Sequence, residues 1–366
     1  MKLPQIIDTD IHPMPKSEDE IKSYIPMPYR RRYTFDSYKY YSQPVQESRL
    51  DVKISGNDWI ASNPDIVMEE HMDRYNVEYG ILLPRAFVSS NPFIDMANNI
   101  CIGFNDWLMD KWLEKNNKQG RFKGSILVNP QDPIAAAKEI ERCANHPHMV
   151  QVMVDSGSRA PFGHRQFYPI YEMCEKYDLP FALHPGTDGV GINDSNTLGY
   201  PASFIEYHTL LCTGYMSHLV SFITEGVFER FPRLKVVLVE GGVSWIPPVL
   251  WRLDAEYKAL REEVPWMKKR PFEYFTENVR VTTQPLEVPD NKQHMWTMLE
   301  ALDAQNTLMF SSDYSHWDFD APDYIMRSIP KHLIDPVFSE TARRLYKLPN
   351  KDLNLEGEKS ETLQSL

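Results

Sequence analysis

Residues 149–185 read MVQVMVDSGSRAPFGHRQFYPIYEMCEKYDLPFALHP, and this stretch decides the fold class. It begins with an apolar run at 149–155 and ends with a second at 180–185, and both runs have the length and composition of buried strands. Between them, residues 168–177 have the length and apolar spacing of a helix. A strand, a helix and a second strand are typical of a parallel pair, because a parallel connection has to cross over the sheet.

The same alternation continues in both directions along the chain. It predicts strands at 5–10, 79–84, 124–129, 149–155, 180–185, 234–241, 279–283 and 307–313. It predicts helices at 66–75, 94–114, 133–143, 168–177, 203–230, 244–262 and 293–302. Eight consecutive units predict an α/β fold, a single (β/α)8 barrel of the TIM type, over residues 1–349. The alternative, an open doubly wound sheet, usually carries a glycine-rich phosphate turn, and neither GxGxxG after the first strand nor GxxxxGKS/T occurs in the chain.

Two segments fall outside this alternation. Residues 14–60 are polar, rich in Tyr and Arg and weakly periodic, so they are predicted to be a loop insertion with room for one short helix. Because the insertion directly follows the first strand, we expect it to lie over the mouth of the barrel. Its aromatic side chains either roof the pocket or pack the insertion onto the barrel (Phe35, Tyr38, Tyr40 and Tyr41). Residues 350–366 form a charged tail that we expect to be frayed.

Composition narrows the class of partner. Lys and Arg number 39 against 51 Asp and Glu, so the net charge is −12, which argues against a nucleic acid or an anionic membrane as the partner. The four cysteines form no CxxC pair, which favours reduced thiols in a cytoplasmic protein. No apolar stretch approaches the ~20 residues of a membrane-spanning helix.

Side chains that bind metals or carry protons follow several of the predicted strands. Asp10 and His12 end the first strand and share one side of it, since they are two residues apart. His184 ends the fifth strand and Asp313 the eighth. The carboxyl ends of barrel strands meet at one face, and imidazole with carboxylate is a common ligand set, so these four residues predict a divalent metal site. Taken singly, each residue also has a plainer explanation as a turn or helix-cap residue.

At these positions the chain resembles the amidohydrolase superfamily, in the branch that contains aminocarboxymuconate-semialdehyde decarboxylase, the resorcylate decarboxylases and many uncharacterised metal-dependent hydrolases. The resemblance implies a metal-dependent barrel enzyme that acts on a small molecule and is often a homodimer. It rests on four stretches, namely IIDTDIHP (6–13), YPIYEMCEKYDLPFALHPG (168–186), GVFERFPRLKVVLVEGGVSWIPPVLWRLD (226–254) and LMFSSDYSHWD (308–318).

The resemblance also implies the ligands. Asp10 stands where the family has the first His of an HxH motif, and His12, His184 and Asp313 match the other ligand positions. Members with two metals bridge them with a carboxylated Lys at the end of strand four, and MVQVMVD has no Lys, so a single ion is implied. Zinc is the first expectation for this ion, with manganese or iron as alternatives. Glu240 stands where the decarboxylases have a proton-handling His.

Two reactions fit this set of residues. Glu240 in place of His favours hydrolysis, in which a metal-activated water attacks an ester, amide, lactone or related bond and Asp313 or Glu240 takes the proton. The alternative is non-oxidative decarboxylation of an aromatic or unsaturated acid, and a non-enzymatic metal-binding protein is a distant third. Arg85, His208 and His316 are predicted to bind substrate, Arg85 by gripping a carboxylate, although a loop salt bridge would explain Arg85 equally well.

Overall fold

The computed structural model describes residues 4–34, 48–195 and 198–350. Eight parallel strands neighbour one another in chain order, and all eight overlap their predicted positions. Almost every strand residue is buried, because helices cover the outer face and side chains fill the interior, which explains the continuous apolar runs. The strands are Ile6–Ile11 (β1), Val77–Leu82 (β2), Phe122–Leu127 (β3), Met149–Asp155 (β4), Phe181–His184 (β5), Val236–Leu238 (β6), Val279–Thr282 (β7) and Leu308–Met309 (β8).

Strand β8 returns to β1 and closes the sheet. The Thr9 N–H donates to the Phe310 carbonyl at 3.1 Å, and the His12 N–H donates to the Tyr314 carbonyl at 2.7 Å. Ile11 and Tyr314 form a parallel bridge. The predicted single (β/α)8 barrel is therefore confirmed, and the carboxyl ends of β1, β5, β6 and β8 lie around one mouth.

Helices follow the strands and form the outer ring. Within the described residues, none of them is long and apolar enough to cross a membrane. Their α-helical parts are Glu18–Tyr24 (α1), Pro64–Val67 (α2), Ile94–Leu108 (α3), Pro133–Cys143 (α4), Tyr168–Tyr177 (α5), Phe204–Leu210 (α6), Cys212–Thr224 (α7), Val227–Arg230 (α8), Ile246–Leu260 (α9), Pro271–Asn278 (α10), Lys292–Ala301 (α11), Ala304–Thr307 (α12), Pro322–Ser328 (α13) and Thr341–Tyr346 (α14).

The structure corrects the lengths of three predicted elements. The single helix predicted at 203–230 is divided into α6, α7 and α8, and Gly226 separates the last two with a φ of +71° that a helix interior does not adopt. Strands β6 and β8 end earlier than predicted. In both cases the chain turns toward the mouth before the polar residue that follows the strand, so Glu240 and Asp313 lie on loops.

The insertion is divided between two places. Helix α1 packs on the outer helix α3, where a Cβ on Gly103 would lie 2.8 Å from a side-chain carbon of Ile25. This first part therefore does not cover the mouth. Residues 48 and 49 do reach the mouth, since Ser48 forms a bridge with His316. The proposed aromatic roof at residues 35–47 and the tail at 351–366 lie outside the described residues.

A buried ion pair ties strand β2 to the last helix and gives a stability prediction. Arg343 donates to both carboxylate oxygens of Glu78, at 3.1 and 2.5 Å, and the Glu78 side chain is fully buried. Arg343→Met removes this bidentate partner and leaves the buried Glu78 carboxylate uncompensated, so we expect the free energy of unfolding in urea to fall by about 3 kcal/mol. The matched control is Arg327→Met, because Arg327 pairs with Asp323 on the surface and its loss should cost at most about 0.5 kcal/mol. Equal small losses in both variants would contradict the prediction.

Candidate active site

Five acidic and histidine side chains converge at the mouth of the barrel. Their ligand atoms all lie within 4.8 Å of one another, and all five residues are buried. They come from the ends of four strands: Asp10 and His12 from β1, His184 from β5, Glu240 after β6 and Asp313 after β8. The four residues predicted as ligands are thus brought together, and Glu240 joins them.

The two histidine rings are oriented by backbone carbonyls. His12 Nδ1 lies 3.0 Å from the Leu83 carbonyl, and His184 Nδ1 lies 2.9 Å from the Pro185 carbonyl. Because a carbonyl only accepts, each Nδ1 carries a hydrogen and each Nε2 is directed into the site. The two Nε2 atoms are only 3.2 Å apart. Two neutral imidazoles would oppose their lone pairs at that distance, so the position requires a positive charge, either a proton or a metal ion.

The carboxylates in the site also lack partners. Among the described residues, both carboxylate oxygens of Asp10, Oδ2 of Asp313 and Oε2 of Glu240 have no hydrogen bond. Imidazole nitrogens are nevertheless close, with His12 Nε2 at 2.9 Å from Asp313 Oδ1 and His184 Nε2 at 3.0 Å from Glu240 Oε2. Buried carboxylates are costly unless a cation compensates them. Nitrogen and oxygen donors around one point therefore form a buried site that fits a single divalent ion.

Burial and neighbouring charges shift the pKa of every residue in this cluster. Burial raises the pKa of Asp10 to about 6, and burial together with neighbouring carboxylates raises the pKa of Asp313. Burial opposes the charge of His184, but Asp10 and Glu240 outweigh it and raise the pKa to about 9. Burial likewise opposes the charge of Glu240, yet the His184 imidazole, 3.0 Å from its Oε2, outweighs burial and lowers the pKa to about 2. Of these two carboxyls, Asp313 rather than Glu240 is therefore the one that tends to hold a proton.

Two of the five residues have an unusual backbone. Glu240 has a φ of +55° and Asp313 a φ of +57°, in the left-handed region that residues other than Gly rarely adopt. The turn after Glu240 is fixed by the Glu287 carboxylate, which accepts the Val243 N–H at 3.1 Å. Gly242 in this turn has a φ of +70°, a conformation that favours Gly, and a Cβ there would also lie 2.3 Å from a Glu287 oxygen. Backbone strain of this kind persists where the surroundings enforce it, and it commonly marks functional sites.

A buried hydrogen-bond network centred on Asp8 lies behind the cluster, and it was not predicted from the sequence. Asp8 Oδ1 accepts the Asp10 N–H at 3.2 Å and the Ser312 N–H at 3.0 Å. Asp8 Oδ2 accepts the Ser312 hydroxyl at 2.5 Å and lies 2.6 Å from His71 Nε2. Because Ser312 directly precedes Asp313, Asp8 connects the backbone positions of two candidate ligands.

A pocket opens above the cluster. Arg85, His208 and His316, the three residues predicted to bind substrate, all line it. Arg85 donates to the Pro185 carbonyl at 3.0 Å, and its Nε has no partner within the described residues. His316 Nδ1 lies 2.6 Å from Asp313 Oδ1. Four other lining residues were not predicted from the sequence, namely Phe204, Tyr207, Trp317 and Asp318. Trp317 and Asp318 directly follow His316 in the chain.

A (β/α)8 barrel with imidazole and carboxylate ligands at the carboxyl ends of its strands defines a class of metal-dependent barrel enzymes. The amidohydrolase family model matches residues 7–348, so the chain belongs to this family and is an enzyme of the amidohydrolase superfamily.

Comparison with characterised relatives gives the reaction type in those proteins. A gamma-resorcylate decarboxylase of Rhodococcus jostii is 30% identical over 233 residues, which are 58% of this chain and 66% of that protein's length. A gamma-resorcylate decarboxylase of Rhizobium sp. is 27% identical over 76% of this chain and 85% of its own. The crystal structure of a dihydroxybenzoic acid decarboxylase from Polaromonas, with bound manganese and 2-nitroresorcinol, superposes with a TM-score of 0.66 at 22% identity, over 97% of this chain and all of that chain.

These relatives correct the expected reaction. The sequence analysis preferred hydrolysis because Glu240 replaces the proton-handling His. The characterised relatives with detectable identity are named as decarboxylases of aromatic acids, so the preference for hydrolysis is wrong and the alternative is favoured.

The convergence of the two imidazoles predicts the metal content. We expect the purified protein to hold one divalent ion per chain, measured by elemental mass spectrometry after growth with added metal. His184→Ala should lose most of this ion, because water replaces an imidazole ligand poorly. His332→Ala is the matched control, since His332 is exposed and far from the cluster in the chain. Two ions per chain in the wild type, or a full complement in His184→Ala, would contradict the site.

The Asp8 network predicts an effect on metal affinity that does not depend on activity. Asp8→Asn keeps the shape but turns one acceptor into a donor that faces the Ser312 hydroxyl and His71. We expect the affinity for Mn²⁺, measured by titration of the folded apoprotein, to fall by about 10- to 100-fold. Asp335→Asn, at an exposed position, should leave the affinity unchanged. An unaltered affinity in Asp8→Asn would show that Asp8 does not position the ligands.

Proposed function

We propose that this protein is a metal-dependent, non-oxidative decarboxylase of an aromatic carboxylic acid that carries a hydroxyl group beside the carboxylate. The observation that carries the proposal is the composition of the pocket. Glu240 of the five-residue cluster lines the pocket, together with the aromatic rings of Phe204 and Trp317 and the Arg85 guanidinium. The decarboxylase relatives support the same reaction.

The reaction balances without a redox partner. The bond between the ring carbon and the carboxylate breaks, carbon dioxide leaves, and the electron pair stays on the ring carbon, which takes up one proton. A divalent ion held at the cluster would supply a Lewis acid that stabilises negative charge on the substrate oxygens. The ligands proposed for it are Asp10, His12, His184 and Asp313.

The protein groups orient the acid and supply the proton. Arg85, whose Nε lacks a partner among the described residues, donates to an anionic substrate oxygen. Asp313 and Glu240 together handle the proton: the negative charge of Glu240 helps to raise the pKa of Asp313, after the larger effect of burial. Asp313 thus delivers the proton to the ring carbon, and Glu240 keeps it available. His316, hydrogen-bonded to Asp313, holds that carboxyl in place.

The proposal also includes the identity of the ion, the cellular location and the oligomeric state. Oxygen-rich ligand sets favour manganese over zinc, and the decarboxylase from Polaromonas holds manganese, so we propose Mn²⁺ in place of the first expectation of zinc. The four free cysteines support a reducing, cytoplasmic location. A homodimer is proposed from the family resemblance, and sedimentation of the purified protein tests it.

The test of the function is gas release. We expect the Mn²⁺-loaded protein to release carbon dioxide from hydroxylated benzoates, with the matching phenol as the product. Glu240→Gln keeps the shape and removes the charge, so kcat should fall by about 10²-fold or more while the metal content stays near that of the wild type. Glu256→Gln, on the exposed face of α9, is the matched control with normal turnover. Hydrolysis of activated esters without gas release, or full activity in Glu240→Gln, would contradict the proposal.

A further inference from the structure

A second polar pair lines the pocket beside the metal cluster. His208 lies on α6 and Asp318 on the loop after β8, and their Nε2 and Oδ2 atoms are 3.3 Å apart. Ligand atoms of His208, Asp318 and Glu240 all lie within 4.8 Å of one another. Glu240 thus belongs to both clusters, so the pair sits one side chain away from the metal-binding cluster.

Both members of the pair are held in place by neighbours. The His208 ring stacks on Phe204 with a centroid distance of 5.4 Å and lies 5.7 Å from the ring of Trp317. The Asp318 carboxylate accepts a hydrogen bond from Gln284 Nε2 at 3.0 Å. Groups fixed in this way keep their direction when a ligand enters, which makes them selective hydrogen-bonding partners.

We propose that the His208–Asp318 pair recognises a second hydroxyl group on the aromatic ring, at the edge away from the carboxylate that is lost. This inference rests on the proposed function and narrows its substrate class to aromatic acids with a remote hydroxyl. The pair offers an imidazole nitrogen and a carboxylate oxygen side by side, and a hydroxyl both donates and accepts.

The surrounding charges exclude other substituents. A second carboxylate on the ring would approach the carboxylates of Asp318 and Glu240, which repel it. A methyl group would exclude water from the polar atoms of the pair without offering them a hydrogen bond in return, which costs about 1–3 kcal/mol. A neutral group that donates and accepts satisfies both residues.

The same three residues have the spacing of a cation site, and this alternative makes a different prediction. In that case the protein would hold a second ion per chain, removed by His208→Leu. The hydrogen bond from Gln284 to Asp318 and the aromatic rings packed on His208 favour substrate recognition. A second ion lost in His208→Leu would overturn the proposal.

The experiment compares substrates that differ by one hydroxyl. We expect the wild type to prefer one of 2,3-, 2,4- or 2,5-dihydroxybenzoate over 2-hydroxybenzoate by about 10- to 100-fold in kcat/KM, the effect of a hydrogen bond to a charged group. In His208→Leu and Asp318→Asn this preference should fall to a few-fold. His332→Leu is the matched control and should retain it, since His332 is exposed. An equal loss of kcat/KM for both substrates would mean that the pair is merely structural and would overturn the proposal.

Binding of the products separates this proposal from the proposed function. The dihydroxybenzenes formed by decarboxylation should bind the wild type more tightly than phenol does, measured by calorimetry, and the difference should vanish in His208→Leu. If this preference is found but no substrate releases gas, the recognition stands and the decarboxylase assignment fails. If gas is released and neither the acids nor the phenols are discriminated, the decarboxylase stands and the recognition by the pair is overturned.

Discussion

The active site depends on one electrostatic constraint, the need for positive charge where two imidazoles and three carboxylates meet. The Nδ1 atoms of His12 and His184 are occupied by backbone carbonyls, so the rings cannot turn their Nε2 atoms away from each other. The carboxylates around them are buried and largely without hydrogen bonds in the described part of the chain. A barrel brings such groups together readily, because the backbone of each strand is already satisfied and only the strand ends carry free polar side chains.

The same constraint explains where the backbone is strained and where it is tied down. Glu240 and Asp313 enter the site with positive φ values, which L residues adopt only when the surroundings compensate. Compensation is visible on both sides: Glu287 fixes the turn after Glu240, and Asp8 binds the N–H group of Ser312, the residue before Asp313. Asp8 acts where β8 returns to β1, so the hydrogen bonds that place the ligands lie beside those that close the barrel.

The sequence predicted the strands and the polar residues that end them, because a buried parallel strand is an apolar run and a functional residue at its end interrupts that run. It did not predict that Glu240 and Asp318 would come close to His208, since this depends on left-handed backbone at Glu240 and on the break between α6 and α7. The type of reaction was also misjudged. A Glu in place of His changes the group that carries the proton, but a carboxyl also donates protons, so the residue type alone does not distinguish hydrolysis from decarboxylation.

Glu240 stands where the related decarboxylases have a His, and this difference makes the charge of the cluster more negative. With three ionised carboxylates, two neutral imidazoles and a divalent ion, the cluster carries one negative charge in excess. An incoming substrate carboxylate increases that excess, and Arg85 offsets only part of it, so the cluster favours retention of one proton. In the metal-free protein, burial and the neighbouring carboxylates raise the pKa of Asp313, which is the carboxyl proposed to deliver this proton. Decarboxylation consumes one proton per turnover, and its products are neutral. The extra carboxylate of Glu240 therefore suits the reaction in two ways. Its negative charge favours a proton on Asp313 before the bond breaks, and it does not attract the neutral products afterwards.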